Sequence, residues 1–213
     1  LVTLLAVGGG FEGIGKVARL DVAPTKGLGA CQRLGVDVVQ ADRAAGKDFA
    51  WHLRQIPDKI QWIFAQTDAI KSVAERFAAY KDFFYLGRRY SAPVAFEGAL
   101  KIKEIAYVHA EAYPAGEMKH GPLALIEEAF PCVFIAPQDS GYEKTVTNKH
   151  AAEARKGKII AVTTEGNTEL LDKGLADEWF FIPKTIGPLA PLLSVIPLQL
   201  FAYFVAAARG EAI

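Results

Sequence analysis

The sequence predicts an α/β protein in which a parallel sheet is doubly wound by helices into a sandwich and preceded by further helices. Short, continuous apolar runs, at 83–86, 132–136 and 159–163, are typical of strands that are buried on both faces. Longer segments between them place apolar residues at spacings of three and four, which indicates amphipathic helices. Strands joined through helices pair in parallel by right-handed connections, so the alternation indicates a doubly wound sheet.

Composition excludes several classes of protein. The chain has 213 residues, 51% hydrophobic and 23% charged, with 24 basic and 24 acidic side chains and no net charge. It is long enough to bury a sizeable core, and without a basic stripe no nucleic-acid partner is expected. No stretch is judged long and apolar enough to cross a membrane. Cys31 and Cys132 lie far apart in apolar surroundings, which favours buried free thiols over a disulfide.

Three segments are expected along the chain. Residues 1–46 form a poorly matched connecting segment, whose apolar start at 1–7 could end a buried helix. Its glycines do not have the spacing of a nucleotide-binding fingerprint, so a connection is favoured over a phosphate site. Residues 47–81 form a helical lead-in of two amphipathic helices, the second capped by Thr67 or Asp68. Residues 82–213 form the main domain.

Each element of the main domain has a local reason. Strands follow from apolar runs that Gly or Pro closes, and helices follow from apolar periodicity that begins near Pro93 or ends at a glycine. The predicted order is strand 83–86, helix 92–113, strand 132–136, helix 143–156, strand 159–163, strand 178–182 and helix 186–209.

Three charged residues recur on the first of these helices. Glu97, Lys101 and Glu104 stand at i, i+4 and i+7, so they share one helix face, and Glu97 to Lys101 is the favourable orientation for an ion pair. On the spacing of the charges alone, a solvated ladder of charges is the favoured interpretation. The remaining residues of the helix are strongly apolar, which predicts that the helix is covered on most sides and that the charged face looks into a cleft.

A histidine follows in an irregular loop. Gly116 and the pair Gly121-Pro122 enclose a charged triplet that ends in His120, and functional groups concentrate in such defined loops. His120 is therefore a candidate for proton transfer, although a lone histidine is more often structural or simply exposed.

A long segment carries a resemblance. Residues 86–126 read LGRRYSAPVAFEGALKIKEIAYVHAEAYPAGEMKHGPLALI. This string resembles the signature of the C-terminal sugar-isomerase (SIS) fold in the glutamine–fructose-6-phosphate aminotransferases, or glucosamine-6-phosphate synthases. The similarity continues through residues 188–210 and covers roughly 49–213. It implies an SIS-type fold for the main domain.

The resemblance implies a chemistry and a role for each matching residue. Family members form glucosamine 6-phosphate from fructose 6-phosphate and ammonia, which a separate glutamine amidotransferase domain supplies. Glu104 matches the base that moves a proton between C1 and C2, and such a base needs a pKa that burial raises. His120 matches the ring-opening histidine, contributed across a dimer interface. Lys101 matches a substrate-binding lysine, and Glu97 a supporting residue that orients it. A cytoplasmic homodimer without metal or cofactor is expected.

The chain departs from the family pattern in several respects. Arg89 stands where the family has glycine, so Arg88 and Arg89 could attract an anion at the sheet edge or lie at a surface or interface. His109 and Lys103 receive no role, and His52 and His150 are taken as surface residues. The serine/threonine-rich phosphate loop and an active-site lysine near the C-terminus have no counterpart.

Three hypotheses follow from these departures. The chain, which lacks an initial methionine and stops abruptly, is expected to be an incomplete synthase with little activity alone. The alternatives are a non-catalytic sugar-phosphate-binding regulatory module, which would not need Glu104 as a buried base, and a remnant that only forms dimers.

Overall fold

A computed structural model describes residues 36–167 and 176–212, with side chains from residue 45 onward. The predictions for residues 1–7, for the glycine-rich segment and for Cys31 lie outside the described residues. The chain divides into two compact units, 1–57 and 58–213. The strands and the helices from α3 onward all lie in the second unit.

The second unit is built on five parallel strands in the order β2-β1-β3-β4-β5. Their bounds are β1 Asp82–Gly87, β2 His109–Pro114, β3 Pro131–Ala136, β4 Lys158–Thr164 and β5 Glu178–Ile182. β1 and β3 are buried almost throughout, as expected for strands that helices cover on both faces. The predicted doubly wound α/β fold is confirmed, together with all four predicted strands.

Six helices accompany these strands in the described part of the chain. They are α1 Val36–Arg54, α2 Ile56–Phe64, α3 Thr67–Phe77, α4 Ser91–Ala106, α5 Tyr142–Glu153 and α6 Ala190–Arg209. The lead-in therefore contains three helices, where the sequence predicts two. α6 ends as predicted, because Gly210 adopts the left-handed backbone (φ 75°) that closes the helix.

The predicted cap of α3 is wrong. The N-cap position is Gln66, and no side chain caps the helix there. Thr67 already lies inside the first turn, and its hydroxyl donates backward to the carbonyl of Phe64 at 2.6 Å. This bond joins the end of α2 to the start of α3 and takes the hydroxyl away from the backbone N–H groups of α3.

The predicted helix 92–113 is wrong beyond Ala106. Tyr107 adopts a left-handed backbone with φ 51°, which ends α4. The chain then turns back as β2, whose residues pair with β1 along the full length, from Asp82 with His109 to Gly87 with Pro114. β2, which pairs with β1 at the edge of the sheet, therefore lies where the sequence predicts about two further turns of helix.

Helix α6 packs within the second unit on the side that includes α3 and α4. The ring of Phe201 lies 6.4 Å from that of Phe77, 5.9 Å from that of Phe83 and 5.6 Å from that of Phe180. An 18-residue stretch within residues 187–209 has a mean hydropathy of 1.9, so the statement that no stretch is apolar enough to span a membrane is wrong by length and composition. Because 78% of this stretch is buried inside the protein, the hydropathy is that of a core helix.

The other face of the sheet has its own core. Phe84, Leu86, Cys132 and Phe134 pack there against Met118, all almost fully buried. Phe83 and Tyr85 alternate with Phe84 along β1, so one strand contributes to both cores, as the twofold period of a strand requires. Cys132 is a free, buried thiol, as predicted.

Candidate active site

The three charged residues of α4 form one connected row. The Lys101 ammonium lies 2.7 Å from Glu104 Oε2 and 3.6 Å from Glu97 Oε1. The hydrogen bond with Glu104 and the charges of both carboxylates raise the pKa of Lys101, against a smaller lowering by burial. Lys101 is 17% exposed at its side chain, so the cation of the row is the best shielded of the three groups. The predicted shared face is therefore present.

The carboxylates of this row are not enclosed within the described part of the chain, and Glu97 is 40% exposed. The Glu104 side chain is 49% exposed. Phe96 and Leu100 of the same helix are 53% and 41% exposed, although the sequence analysis expects the helix to be covered on most sides. That expectation is wrong at these two positions, because α4 buries its other face, through Val94, Ala95, Gly98, Ala99 and Ile102.

Gly98 allows α4 to approach its neighbours closely. A Cβ atom at this position would lie 2.8 Å from Leu198 Cδ1 and 2.9 Å from two ring atoms of Tyr85. The glycine thus brings the helix backbone against β1 and α6. This contact sets the position of the charged row relative to the sheet.

His120 lies on a short 3-10 helix, Ala115–His120, that directly follows β2. Met118 and Ala115 are fully buried and anchor the turn in the core, and buried Asn148 donates a hydrogen bond to the carbonyl of Ala115. His120 itself is exposed, and within the described residues its side chain makes no hydrogen bond or ion pair. The turn is rigidly held while its histidine is free to meet another molecule.

Glu104 and His120 do not meet within one chain. α4 begins after the carboxyl end of β1 and runs back toward the amino ends of the strands, so Glu104 lies roughly 20 Å along the helix axis from its first residue, Ser91. β2 then returns the chain to the carboxyl edge before His120. The two predicted proton-transfer groups therefore lie at opposite ends of the strands, with Glu104 toward the amino ends and His120 beyond the carboxyl ends.

The two arginines after β1 lie at the carboxyl edge. Arg89 has a left-handed backbone (φ 53°). Glycine adopts this conformation without steric cost, which agrees with the glycine at this position in the family that the sequence resembles. Its guanidinium donates to Ser140 Oγ at 2.7 Å. Arg88 packs against Gly116, where a Cβ atom would lie 3.4 Å from Nη2.

A second polar row lies on β2, and sequence reasoning missed it. His109 Nδ1 lies 2.9 Å from Asp82 Oδ1, and the Tyr113 hydroxyl donates to Glu111. That hydrogen bond, with burial and the charge of Glu111, raises the pKa of Tyr113 to about 12. Alternate spacing of His109, Glu111 and Tyr113 was the available signal, but it is visible only once the segment is treated as a strand.

The prediction that His52 and His150 are surface residues agrees with the structure only in part. His150 is half-exposed beside Glu153 at 3.2 Å. His52 is partly buried, with 21% of its side chain exposed and Asp48 at 3.8 Å. Neither belongs to the charged row of α4 or to the turn of His120.

The sequence matches the SIS domain family over residues 77–209, and the chain belongs to that family. Relatives extend the similarity to one class of enzyme. The glutamine–fructose-6-phosphate aminotransferase of Chlorobaculum tepidum is 49% identical over 158 residues, 74% of this chain and 25% of the relative. The enzyme of the same name from Thermus thermophilus is 46% identical over 159 residues, 75% of this chain and 26% of the relative. The chain thus spans about a quarter of the length of these relatives.

Solved structures agree with this assignment. The C-terminal domain of glucosamine-fructose-6-phosphate aminotransferase from Francisella tularensis superposes with a TM-score of 0.72 and 35% identity, over 78% of this chain and 46% of that chain. The sugar isomerase domain of an RpiR transcription factor from Sphaerobacter thermophilus superposes with a TM-score of 0.56 at 16% identity, over 78% of this chain and 96% of that one. The second similarity shows the fold alone.

Proposed function

We propose that this chain is part of the isomerase half of a glutamine–fructose-6-phosphate aminotransferase, which forms glucosamine 6-phosphate from fructose 6-phosphate and glutamine-derived ammonia. The supporting observation is that Glu97, Lys101 and Glu104 form one row of ion pairs on α4, within a chain that is 49% identical to such an enzyme over 158 residues. A solvated ladder would have this spacing too. The identity with the relatives favours the catalytic interpretation.

In this proposal Glu104 is the base that carries a proton from C1 to C2 of the open-chain sugar. One carboxylate that reaches two adjacent carbons is suited to such a transfer. Lys101 binds the sugar and holds Glu104 in place through the 2.7 Å contact. Its raised pKa keeps the ammonium charged. Glu97 supports Lys101 from the preceding helical turn.

In this proposal, His120 contributes to the active site of a second copy of the chain. Because Glu104 and His120 lie at opposite edges of one sheet, a site that uses both must take them from two subunits. Exposure of His120 on an anchored turn agrees with this arrangement. A homodimer is therefore proposed as the active assembly.

Further features of the whole protein belong to the same proposal. An amidotransferase domain would supply the ammonia, and the protein would act in the cytoplasm. The proposed division of the chain is a connecting segment 1–46, a helical lead-in 47–81 and an SIS domain 82–213. The SIS family match at 77–209 supports the last boundary to within a few residues.

The two other hypotheses have weaker support. For the regulatory module, the structural neighbours include the sugar isomerase domain of the RpiR transcription factor, whose 16% identity supports the fold alone. A remnant that only dimerises would not require the charged row. Ligand binding separates these possibilities from the enzyme part.

The test is calorimetric binding of fructose 6-phosphate to the wild-type chain, to Glu104→Gln and to His120→Ala. Glu75→Gln, an exposed glutamate on α3, is the matched control. We expect at least tenfold weaker binding in the first two variants and no change in the control. Unchanged binding in both site variants would refute the assignment.

A heterodimer of the two variants tests the shared site. Co-expression with two different tags allows purification of a dimer that contains one Glu104→Gln chain and one His120→Ala chain. Such a dimer has one site with both native residues, so we expect one tight ligand per heterodimer. Two sites that remain equally weak would show that both residues act within one chain.

A further inference from the structure

We propose that Asn148 is a positioning residue for His120, because it fixes the turn on which the histidine is carried. In this role Asn148 does not touch the ligand and acts only through that turn. The inference rests on the proposed function, in which His120 contributes to the active site of a second copy of the chain. It adds the residue that determines where His120 is presented to the partner.

The bond between Asn148 and the turn is buried and joins distant parts of the chain. Asn148 lies on α5 and is 6% exposed, and its side-chain amide donates to the carbonyl of Ala115, 33 residues earlier. Ala115 is fully buried and is the first residue of the 3-10 helix Ala115–His120. Since a carbonyl only accepts hydrogen bonds, the part of the amide that faces it is the N–H₂ group.

The remaining contacts of the turn are less directional. No side chain caps the turn at Pro114, which itself has no N–H to donate. Met118 packs in the core and sets the depth of the turn, but an apolar contact has no preferred direction. After His120 the chain continues through Gly121, which has φ 143° and open space where a Cβ atom would lie. Asn148 therefore supplies a directional contact at the base of the turn.

The length of the turn amplifies any movement at its base. A 3-10 helix rises about 2 Å per residue, so His120 lies about 10 Å from Ala115 along the helix axis. A tilt of about 10° at Ala115 would thus move His120 by about 2 Å. Misplacement of a catalytic group by about 1 Å can cost a factor of about 100 in rate. An anchor at Ala115 therefore affects the chemistry available at His120.

The test is calorimetric binding of fructose 6-phosphate to Asn148→Asp and Asn148→Ala, each alone and combined with His120→Ala. We expect either change to weaken binding by about tenfold in the wild-type background. It should cost nothing further in the His120→Ala background, because Asn148 acts through His120. Thr145→Val is the matched control, since it removes a different buried hydrogen bond of α5, to the carbonyl of Gly141 at 2.9 Å, and should bind as the wild-type chain does.

A change of pH distinguishes the lost donor from general damage to the fold. In Asn148→Asp the ionised carboxylate cannot donate to Ala115, whereas the protonated carboxyl group has one O–H that can. Burial raises the pKa of a carboxyl group. Affinity relative to the wild-type chain at the same pH should therefore recover in Asn148→Asp as the pH is lowered from about 8 to about 5.5, but not in Asn148→Ala.

Equal affinity of Asn148→Asp and the wild-type chain, or an effect additive with that of His120→Ala, would overturn the proposal. The proposed function would still stand if His120→Ala alone weakens binding. No binding by the wild-type chain, or unchanged binding in His120→Ala, would refute the proposed function and this inference with it. Hydrogen exchange tests the anchoring directly: amides of residues 115–120 should exchange at least about tenfold faster in Asn148→Ala than in Thr145→Val, and equal rates would also overturn the proposal.

Discussion

Replacing Gly98 by alanine tests the packing that positions the charged row. The new methyl group would lie 2.8 Å from Leu198 and 2.9 Å from Tyr85, and both neighbours are fully buried. Overpacking of this kind costs about 1–3 kcal/mol, whereas alanine gains about 1 kcal/mol over glycine inside a helix. We therefore expect Gly98→Ala to lower the free energy of unfolding by about 1 kcal/mol.

Urea denaturation followed by circular dichroism measures this change. Gly46→Ala is the control, because Gly46 also lies within a helix but has no atom within 4 Å of a new Cβ. The control should gain stability or leave it unchanged. Stability of Gly98→Ala at or above that of the wild-type chain would refute the packing argument.

A double variant shows which contact is responsible. Leu198→Ala alone removes a buried side chain and costs about 2–5 kcal/mol. In the Gly98→Ala background it also removes the clash, so the double variant should be about 1 kcal/mol more stable than the sum of the single effects predicts. Additive effects would show that Leu198 does not limit the approach of α4.

Two further predictions concern backbone strain and a buried thiol. Arg89→Gly and Arg89→Ala both lose the bond to Ser140, but only glycine relieves the left-handed backbone (φ 53°). Arg89→Gly should therefore be more stable than Arg89→Ala by about 1 kcal/mol and should unfold at a higher urea concentration. Equal urea midpoints of the two variants would contradict this. Burial raises the pKa of Cys132 from 9.0 to about 12. The folded protein therefore disfavours the thiolate, and its stability is intact below pH 9 and falls as the pH rises from 9 toward 12. Urea midpoints should show that decline, relative to Cys132→Ala as reference; parallel pH profiles would contradict it.

The central strands could be predicted from the sequence because burial on both faces selects a continuous run of apolar residues. β1, β3 and β4 are covered on both faces, so each is a short run of apolar residues. Glycine and proline at their ends interrupt the backbone pattern. Local composition and the final structure therefore agree for these elements.

The edge strand could not be predicted in the same way. Residues 109–114 read HAEAYP, in which alanine and glutamate favour a helix. The segment becomes a strand because Tyr107 ends α4 in a left-handed conformation and β1 offers an unpaired edge along its full length. Pairing between distant segments overrides the local preference.

The sequence by itself determined the doubly wound fold and the row of Glu97, Lys101 and Glu104, since helical periodicity places residues at i, i+4 and i+7 on one face wherever the helix lies. Tertiary structure decided that Glu104 is half-exposed and that His120 lies at the opposite edge of the sheet. Helix α4 runs back along the strands and β2 runs forward again, so the distance between these two residues depends on how the two elements pack. The spacing of the residues in the sequence does not encode that packing.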